Sequence, residues 1–293
     1  RVSLRRNDGA GRYDGLMLYE DCGDGGDGWT IGRLVDDVVY RTPGTEVTTA
    51  IEEDGPLRTT FRIERRLRLP DRMERGKWRR SEERGILEVT DFLTVERHAP
   101  FVRVRTHVNN TVRDHRLRVL LPTGRPAERS FAETPFAVVE RDTAIPPETA
   151  RWHERVNPET AFTGYFGVRH RDGGLAVLCP AGLHEYEAAA DGTLALTLYR
   201  GFFQTVETNG ETDGELAGPL EFEYLLYPFA GDFNPVEASR LLAETRAGLR
   251  VHGADADAEP VEHSFLALER NACVLTALKP ADDGEGGVLR LWN

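Results

Sequence analysis

A net charge of −12, from 37 basic against 49 acidic side chains, argues against a nucleic-acid partner, whose phosphates would be repelled, and suits a neutral partner such as a glycan. With 40% hydrophobic and 29% charged residues the chain reads as a globular protein, and no apolar run approaches the ~20 residues a membrane helix needs, so no membrane association is expected. At 293 residues it is long enough to bury a large core, as one large β domain or two smaller ones. Cys22, Cys179 and Cys273 are few, odd in number and far apart, with no disulfide framework, which favours a reducing, cytoplasmic compartment. No signal-peptide pattern stands at residue 1, and the chain reads as beginning mid-protein.

In chain order, the first notable segment is Leu18-Tyr19-Glu20-Asp21-Cys22-Gly23-Asp24-Gly25-Gly26-Asp27-Gly28-Trp29. Its glycines permit positive φ and close backbone approach, and its carboxylates suit a cation, sugar hydroxyls or a plain wet turn. Phe61 to Leu69 then places Phe61, Ile63, Leu67 and Leu69 on one face, the alternation of a half-buried strand. Leu87, Val89, Leu93 and Val95 repeat the pattern, as do Val102, Val104 and Val108. Arg65 and Asp91 each interrupt the apolar phase of their strand, which a buried ion pair between them would explain. The polar loop through residues 110–114 leads to a strand over 116–121, read as the second arm of a hairpin. Asp172-Gly173-Gly174 is a strong turn signal between Phe162–Arg169 and Leu175–Leu178. Strands over 194–199 and 220–227 follow. One helix stands out: Asn234 as N-cap, Pro235 at the first position and Glu237 as capping-box partner, with Ala238, Leu241, Leu242 and Leu249 at helical spacing and Gly248 or Gly253 as its end. The acidic, alanine-rich stretch 253–260 is read as a linker. Short strands are expected over 265–268, 273–278 and 288–292, too few for a stable core of their own.

Several chemistries find no support. There is no Gly-x-Ser-x-Gly elbow and no phosphate-binding glycine loop of the Walker or Rossmann type. His170 and Asp172 have ligand-like spacing, but no further ligand is identifiable, and zinc wants three or four, so a structural turn is the reading there. His115 follows Asp114 without a partner visible in the sequence, and a hydrogen-bonding role in the fold is favoured over catalysis.

Four segments together carry a family resemblance. Glu20-Asp21-x-Gly23-Asp24-x-Gly26-Asp27, His115-Arg116-Leu117-Arg118-Val119-Leu120-Leu121-Pro122-Thr123, Gly174 to Leu178 with Leu183 to Glu187, and Val274 to Gly284 with Leu289 to Asn293 resemble, in order, the post-catalytic region of the family 38 glycoside hydrolases, the α-mannosidases. The resemblance implies an all-β fold: a large two-sheet super-sandwich, galactose-mutarotase-like, over residues 1–252 with one late helix, and the start of a small appended β domain over 261–293. It also implies that the aspartate nucleophile and a zinc ion held by two histidines and two aspartates lie in an amino-terminal α/β barrel outside the matched segments. On this reading the chain has no catalytic residue, cofactor or metal site of its own. Its partners are the barrel of the same polypeptide, mannose-containing glycans and further copies in a homo-oligomer. Its job is to buttress the barrel and complete the sugar site of a retaining enzyme.

Five residues are candidates for sugar contact. Arg200 closes the strand over 194–199, where the family has an arginine reaching toward the sugar, and is otherwise a solvated or salt-bridged strand end. Asp21, Asp24 and Asp27 are placed at the seam with the barrel, and Trp29 is read as a stacking aromatic or as core packing. Trp152 offers a second loop aromatic. Two other classes stay open: a free-standing carbohydrate-binding β-sandwich without catalysis, and an aldose epimerase with His107 and Glu88 facing each other across the sandwich.

Overall fold

The computed structural model describes residues 2–8, 11–34, 37–42, 45–153, 156–203, 213–253, 262–268 and 273–292. The first half of the chain forms β1 (Val2–Arg5), β2 (Arg12–Leu16), β3 (Leu18–Gly23), β4 (Tyr40–Arg41), β5 (Val47–Asp54), β6 (Arg58–Pro70), β7 (Met73–Glu74), β8 (Arg79–Arg80), β9 (Arg84–Glu96), β10 (Val102–Asn110) and β11 (His115–Pro122). The second half adds β12 (Arg129–Thr134), β13 (Ala137–Asp142), β14 (Thr160–Ala161), β15 (Tyr165–His170), β16 (Gly173–Leu178), β17 (Glu185–Ala188), β18 (Thr193–Gly201), β19 (Gly218–Ala230), the helix α1 (Pro235–Ala247), β20 (Val274–Pro280) and β21 (Gly287–Trp292).

Two antiparallel sheets dominate. A nine-stranded sheet runs β13-β12-β15-β16-β19-β10-β9-β6-β5, and a six-stranded sheet runs β14-β17-β18-β11-β3-β4. Their inner faces share one core: Leu67, Leu87, Val89, Val104 and Leu226 from the larger sheet meet Tyr19, Leu117, Val119, Leu194 and Leu196 from the smaller. A second apolar cluster lies on the other face of the larger sheet, where Ala238 and Leu242 of α1 cover Phe131, Tyr165, Ala176, Leu178 and Leu225. Strands β15 and β16 are therefore buried on both faces, which is why Gly174-Leu175-Ala176-Val177-Leu178 is a continuous apolar run rather than an alternating one.

The two out-of-phase charges meet inside the sandwich. Arg65 Nη1 contacts Asp91 Oδ2, and both side chains are buried. Tyr19 OH, reaching over from the smaller sheet, donates to Asp91 Oδ1 at 2.6 Å, and Thr106 Oγ1 donates to the same oxygen at 2.7 Å. Burial pushes the Asp91 carboxyl up, against the opposing pull of Arg65, Tyr19 and Thr106.

The helix has the expected start: Asn234 Oδ1 accepts from the backbone N–H of Val236 at 3.1 Å and of Glu237 at 3.2 Å, and Gly248, with φ 61°, ends it. Leu249 lies beyond that end and is 99% exposed, so it is no part of the apolar face. The expected hairpin across residues 110–114 does not form. β10 belongs to the larger sheet and β11 to the smaller, and the chain crosses between them at Asp114, whose φ is +53°. Residues 265–268 are not a strand, and Phe265 is 92% exposed. The expected linker, apart from Gly253, lies outside the described residues. Among the described residues β20 and β21 pair only with each other, and Arg240 of α1 donates to the Cys273 carbonyl beside them at 2.9 Å.

Candidate functional site

The register of the six-stranded sheet gathers the candidate residues at one end. Arg116 of β11 stands opposite Cys22 of β3 on one side and Arg200 of β18 on the other. One residue along, His115 faces Gly23 and Gly201. Directly opposed residues share a sheet face, so Cys22, Arg116 and Arg200 project outward while His115 projects toward the core.

Arg200 pins the acidic loop that follows β3. Its Nε donates to Asp24 Oδ2 at 2.7 Å, and its Nη2 donates to the carbonyls of Asp27 at 3.0 Å and Thr30 at 3.1 Å. Asp24 is fully buried, and its other oxygen accepts from Gly26 N at 3.0 Å and Gly32 N at 2.9 Å. Asp27 folds the tip: its Oδ1 accepts from the N–H groups of Trp29 and Thr30, both at 2.8 Å, and these bonds hold its carboxyl below the usual range. The loop closes on itself so tightly that a Cβ on Gly26 would stand 1.9 Å from the Thr30 carbonyl oxygen. Trp29 rides on the tip, 83% exposed, so it is not core packing. Trp152, after a short 3₁₀ turn at Pro147–Arg151, is also exposed.

Asp21 lies on the other side of the sheet from Arg200. It is fully buried, with Oδ1 2.5 Å from Arg80 Nη1 and Oδ2 2.5 Å from His115 Nδ1. His115 Nε2 in turn lies 3.1 Å from Asn110 Oδ1 and 3.3 Å from Tyr199 OH, and the Tyr199 ring meets the imidazole edge-on. Asn110 Nδ2 donates to the carbonyls of Glu215 at 2.9 Å and Leu216 at 3.1 Å. The partner that His115 lacks in the sequence is thus Asp21, ninety-four positions away.

The outward face of the same sheet carries a lattice of ion pairs. Arg118 contacts Glu20 and Glu187, Arg41 donates to Glu20 at 2.8 Å, and Glu159 pairs with Arg116 and, at 2.7 Å, with Arg33. Burial alone would raise the Glu20 and Glu159 carboxyls. The arginines around them, Arg118 with Arg41 at the first and Arg116 with Arg33 at the second, together outweigh it, and both end below the usual carboxylate range. Sequence reasoning missed Arg116 and Glu159. Charges at Arg116 and Arg118 inside an otherwise apolar strand were the available signal, while Glu159 sits in a loop with no periodicity to mark it.

Among the described residues, no group of three or more His, Cys, Asp or Glu is placed to hold a metal. His170 Nε2 lies 3.2 Å from Thr123 Oγ1, and Asp172 is paired with Arg125 at 2.5 Å. Among the described residues no donor set fits the zinc that the family resemblance implies. His107 and Glu88 do not face each other across the sandwich: both point out from the larger sheet, His107 toward Glu221 at 3.6 Å and Glu88 toward Arg66 at 3.3 Å, which removes the basis for an epimerase.

Comparison with known proteins agrees with this architecture. Residues 8–207 match the family model for the glycosyl hydrolases family 38 C-terminal domain. The "Putative mannosylglycerate hydrolase" of Halalkalibacterium halodurans is 29% identical over 317 aligned positions, which cover 96% of this chain and 33% of that protein. An α-mannosidase from Enterococcus faecalis V583 superposes with a TM-score of 0.87 at 22% identity, over 99% of this chain and 34% of that one. A second Enterococcus faecalis family 38 structure gives 0.83, also at 22% identity, over 99% of this chain and 35% of that one. The chain spans about a third of the length of these relatives. The match covers well over half of the sequence, and the chain belongs to the glycosyl hydrolases family 38, as its C-terminal domain.

Proposed function

We propose that this chain is the post-catalytic β region of a retaining, zinc-dependent α-mannosidase, and that it buttresses the catalytic barrel and completes one wall of the sugar site. The observation that carries the reading is the loop held by Arg200. Three hydrogen bonds from one guanidinium, with two backbone bonds to Asp24 behind it, give a rigid tip that presents Asp27 and Trp29 to solvent. A preformed tip of this kind suits a sugar wall, because little conformational entropy is lost when it is engaged. Asp21 and Asp24 act from behind, as positioning residues. The zinc and the nucleophile belong to the barrel, where the metal would hold and polarise the sugar. This chain's part is to orient and enclose the substrate.

The relatives differ in the mannoside their names imply, one carrying an acid aglycone and the other unspecified. The test is hydrolysis of a chromogenic α-mannoside and of mannosylglycerate by the 293-residue chain, with and without zinc, and by the same chain joined to its barrel. No turnover by the chain alone and turnover by the joined protein is the expected result. Turnover by the chain alone would overturn the reading.

A second reading, a free-standing carbohydrate-binding module, is favoured by the exposure of Trp29 and Trp152. It requires saturable glycan binding by the isolated chain, lost in Trp29→Ala. The first reading expects weak or no binding until the barrel is present.

A further inference from the structure

The loop that carries Asp27 and Trp29 has a second anchor besides Arg200, at its root. The backbone N–H of Asp24 donates to the carbonyl of Asp114 at 2.8 Å, so the loop leaves β3 tied to the residue at which the chain crosses between the sheets. Asp114 has φ +53°, uncommon outside glycine, and its neighbours hold it there. Its Oδ2 accepts from Met73 N at 3.1 Å, and its own N–H donates to Glu215 Oε2 at 2.9 Å.

Glu215 belongs to a short 3₁₀ turn, Asp213–Glu215, between β18 and β19, and is only 3% exposed. A buried carboxylate is costly unless it is hydrogen-bonded, so the bond to Asp114 matters to both partners. The turn is itself fastened, by Asn110 Nδ2 donating to the Glu215 carbonyl at 2.9 Å and by the Phe202 N–H donating to the Gly214 carbonyl at 3.0 Å. It also abuts the first anchor. A Cβ on Gly201, the residue after Arg200, would stand 3.0 Å from the Glu215 carbonyl oxygen and 3.4 Å from its Oε2. The Phe202 ring lies 5.6 Å from the Arg200 guanidinium, and a Cβ on Gly28 at the tip would meet that ring at 3.5 Å. One buried carboxylate thus stands between the crossing that holds the root of the loop and the strand end that holds its tip.

We propose that Glu215 is a positioning residue for the sugar wall. Buried, it touches no substrate. It fixes Asp114, whose carbonyl sets where Asp24 stands, and with Asp24 the tip that Arg200 holds. Arg200 makes the loop rigid, and Glu215 determines where the rigid loop points. The role in sugar binding rests on the proposed function.

The test compares Glu215→Asp and Glu215→Gln with the parent, in the 293-residue chain and in the same chain joined to its barrel. Aspartate keeps the charge but withdraws the carboxylate by one methylene from the Asp114 N–H. Glutamine keeps an acceptor oxygen at full reach. In the isolated chain, amide hydrogen exchange at Asp24, Gly25, Gly26 and Gly32 should quicken at least about tenfold in Glu215→Asp, with β16 unchanged, and Glu215→Gln should recover most of the protection. In the joined enzyme, Glu215→Asp should raise KM for a chromogenic α-mannoside about three- to tenfold, the scale of one lost hydrogen bond, with kcat within about twofold of the parent. Gly201→Ala, which crowds Glu215 without removing it, should give the same pattern more weakly, and is read in its place if Glu215→Asp does not fold. Unchanged exchange at the loop, or quickening shared equally by β16, would overturn the proposal, as would an opened loop with an unchanged KM. A joined protein with no mannosidase activity would instead sink the proposed function, and exchange in the isolated chain would still decide whether Glu215 sets the loop.

Discussion

Asp91 accepts from Tyr19, Thr106 and Arg65 in the space between the two sheets, and its charge is what keeps Arg65 from being a buried, unpaired cation. Asp91→Asn keeps an acceptor for the hydroxyls but removes the counter-charge. It should cost about 3–5 kcal/mol, the scale for breaking a buried pair. Adding Arg65→Met should return a sizeable part of that loss, because no charge then remains buried. Urea midpoints of the two single variants and the double would show the coupling, and strict additivity would refute it. Gly26→Ala makes the complementary case at the loop, where a Cβ would stand 1.9 Å from the Thr30 oxygen. The loop must open, releasing Arg200, at a cost of about 1–3 kcal/mol. A melting temperature equal to that of the parent would contradict the geometry. The Arg65–Asp91 pair was legible in the sequence because each charge broke a period-two pattern. The Asp21–His115 pair was not: Asp21 sits in a loop-like, glycine-rich stretch that hides its strand, and Arg80 lies in a segment with no periodicity at all.

At the level of elements, the outward face of the six-stranded sheet makes stability depend on acid. Glu20 and Glu159 have folded-state pKa values below their ordinary ones, so the unfolded chain binds their protons more readily. Their contribution is fully present above the unfolded value, near 4.5, and is lost as pH falls through the depressed folded values. Asp91, raised by burial, has the opposite sign and loses stability as pH rises through its own window. In Glu20→Gln the stability at pH 7 should fall by about 1.5–3 kcal/mol, and the further loss between pH 5 and 3 should shrink. Chemical denaturation at those pH values reads both, and an unchanged acid slope would remove Glu20 from the account. Elements with their own local chemistry were the legible ones. Asn234-Pro235-x-Glu237 announces α1, and Asp172-Gly173-Gly174 announces the β15–β16 hairpin. The step from β10 to β11 misled because a polar loop between two apolar strands looks the same whether the chain turns back within a sheet or crosses to the other one. The crossing depends on Asp114 at φ +53° and on its backbone N–H bonded to Glu215 Oε2 at 2.9 Å, a residue 101 positions away.

Across the whole molecule, burial is distributed unevenly, and that predicts how it opens. The sandwich has a continuous core through both sheets, whereas the β20–β21 hairpin buries little beyond Val274 and leaves Leu278, Leu289 and Leu291 exposed. A two-stranded ribbon is marginal in water without a surface to pack on. Its described anchor is α1, through the bond from Arg240 to the Cys273 carbonyl. We therefore expect it to behave as a separate unit, opening locally while the sandwich opens only globally. In native-state hydrogen exchange, amides of 274–292 should exchange at least about a hundredfold faster than those of β11 and β16. Deleting 273–292 should move Tm by less than about 3 °C, since few core contacts go with it. Equal protection in hairpin and sandwich, or a large fall in Tm on deletion, would mean that the last strands complete the core of the sandwich, and the boundary drawn after residue 252 would have to be abandoned.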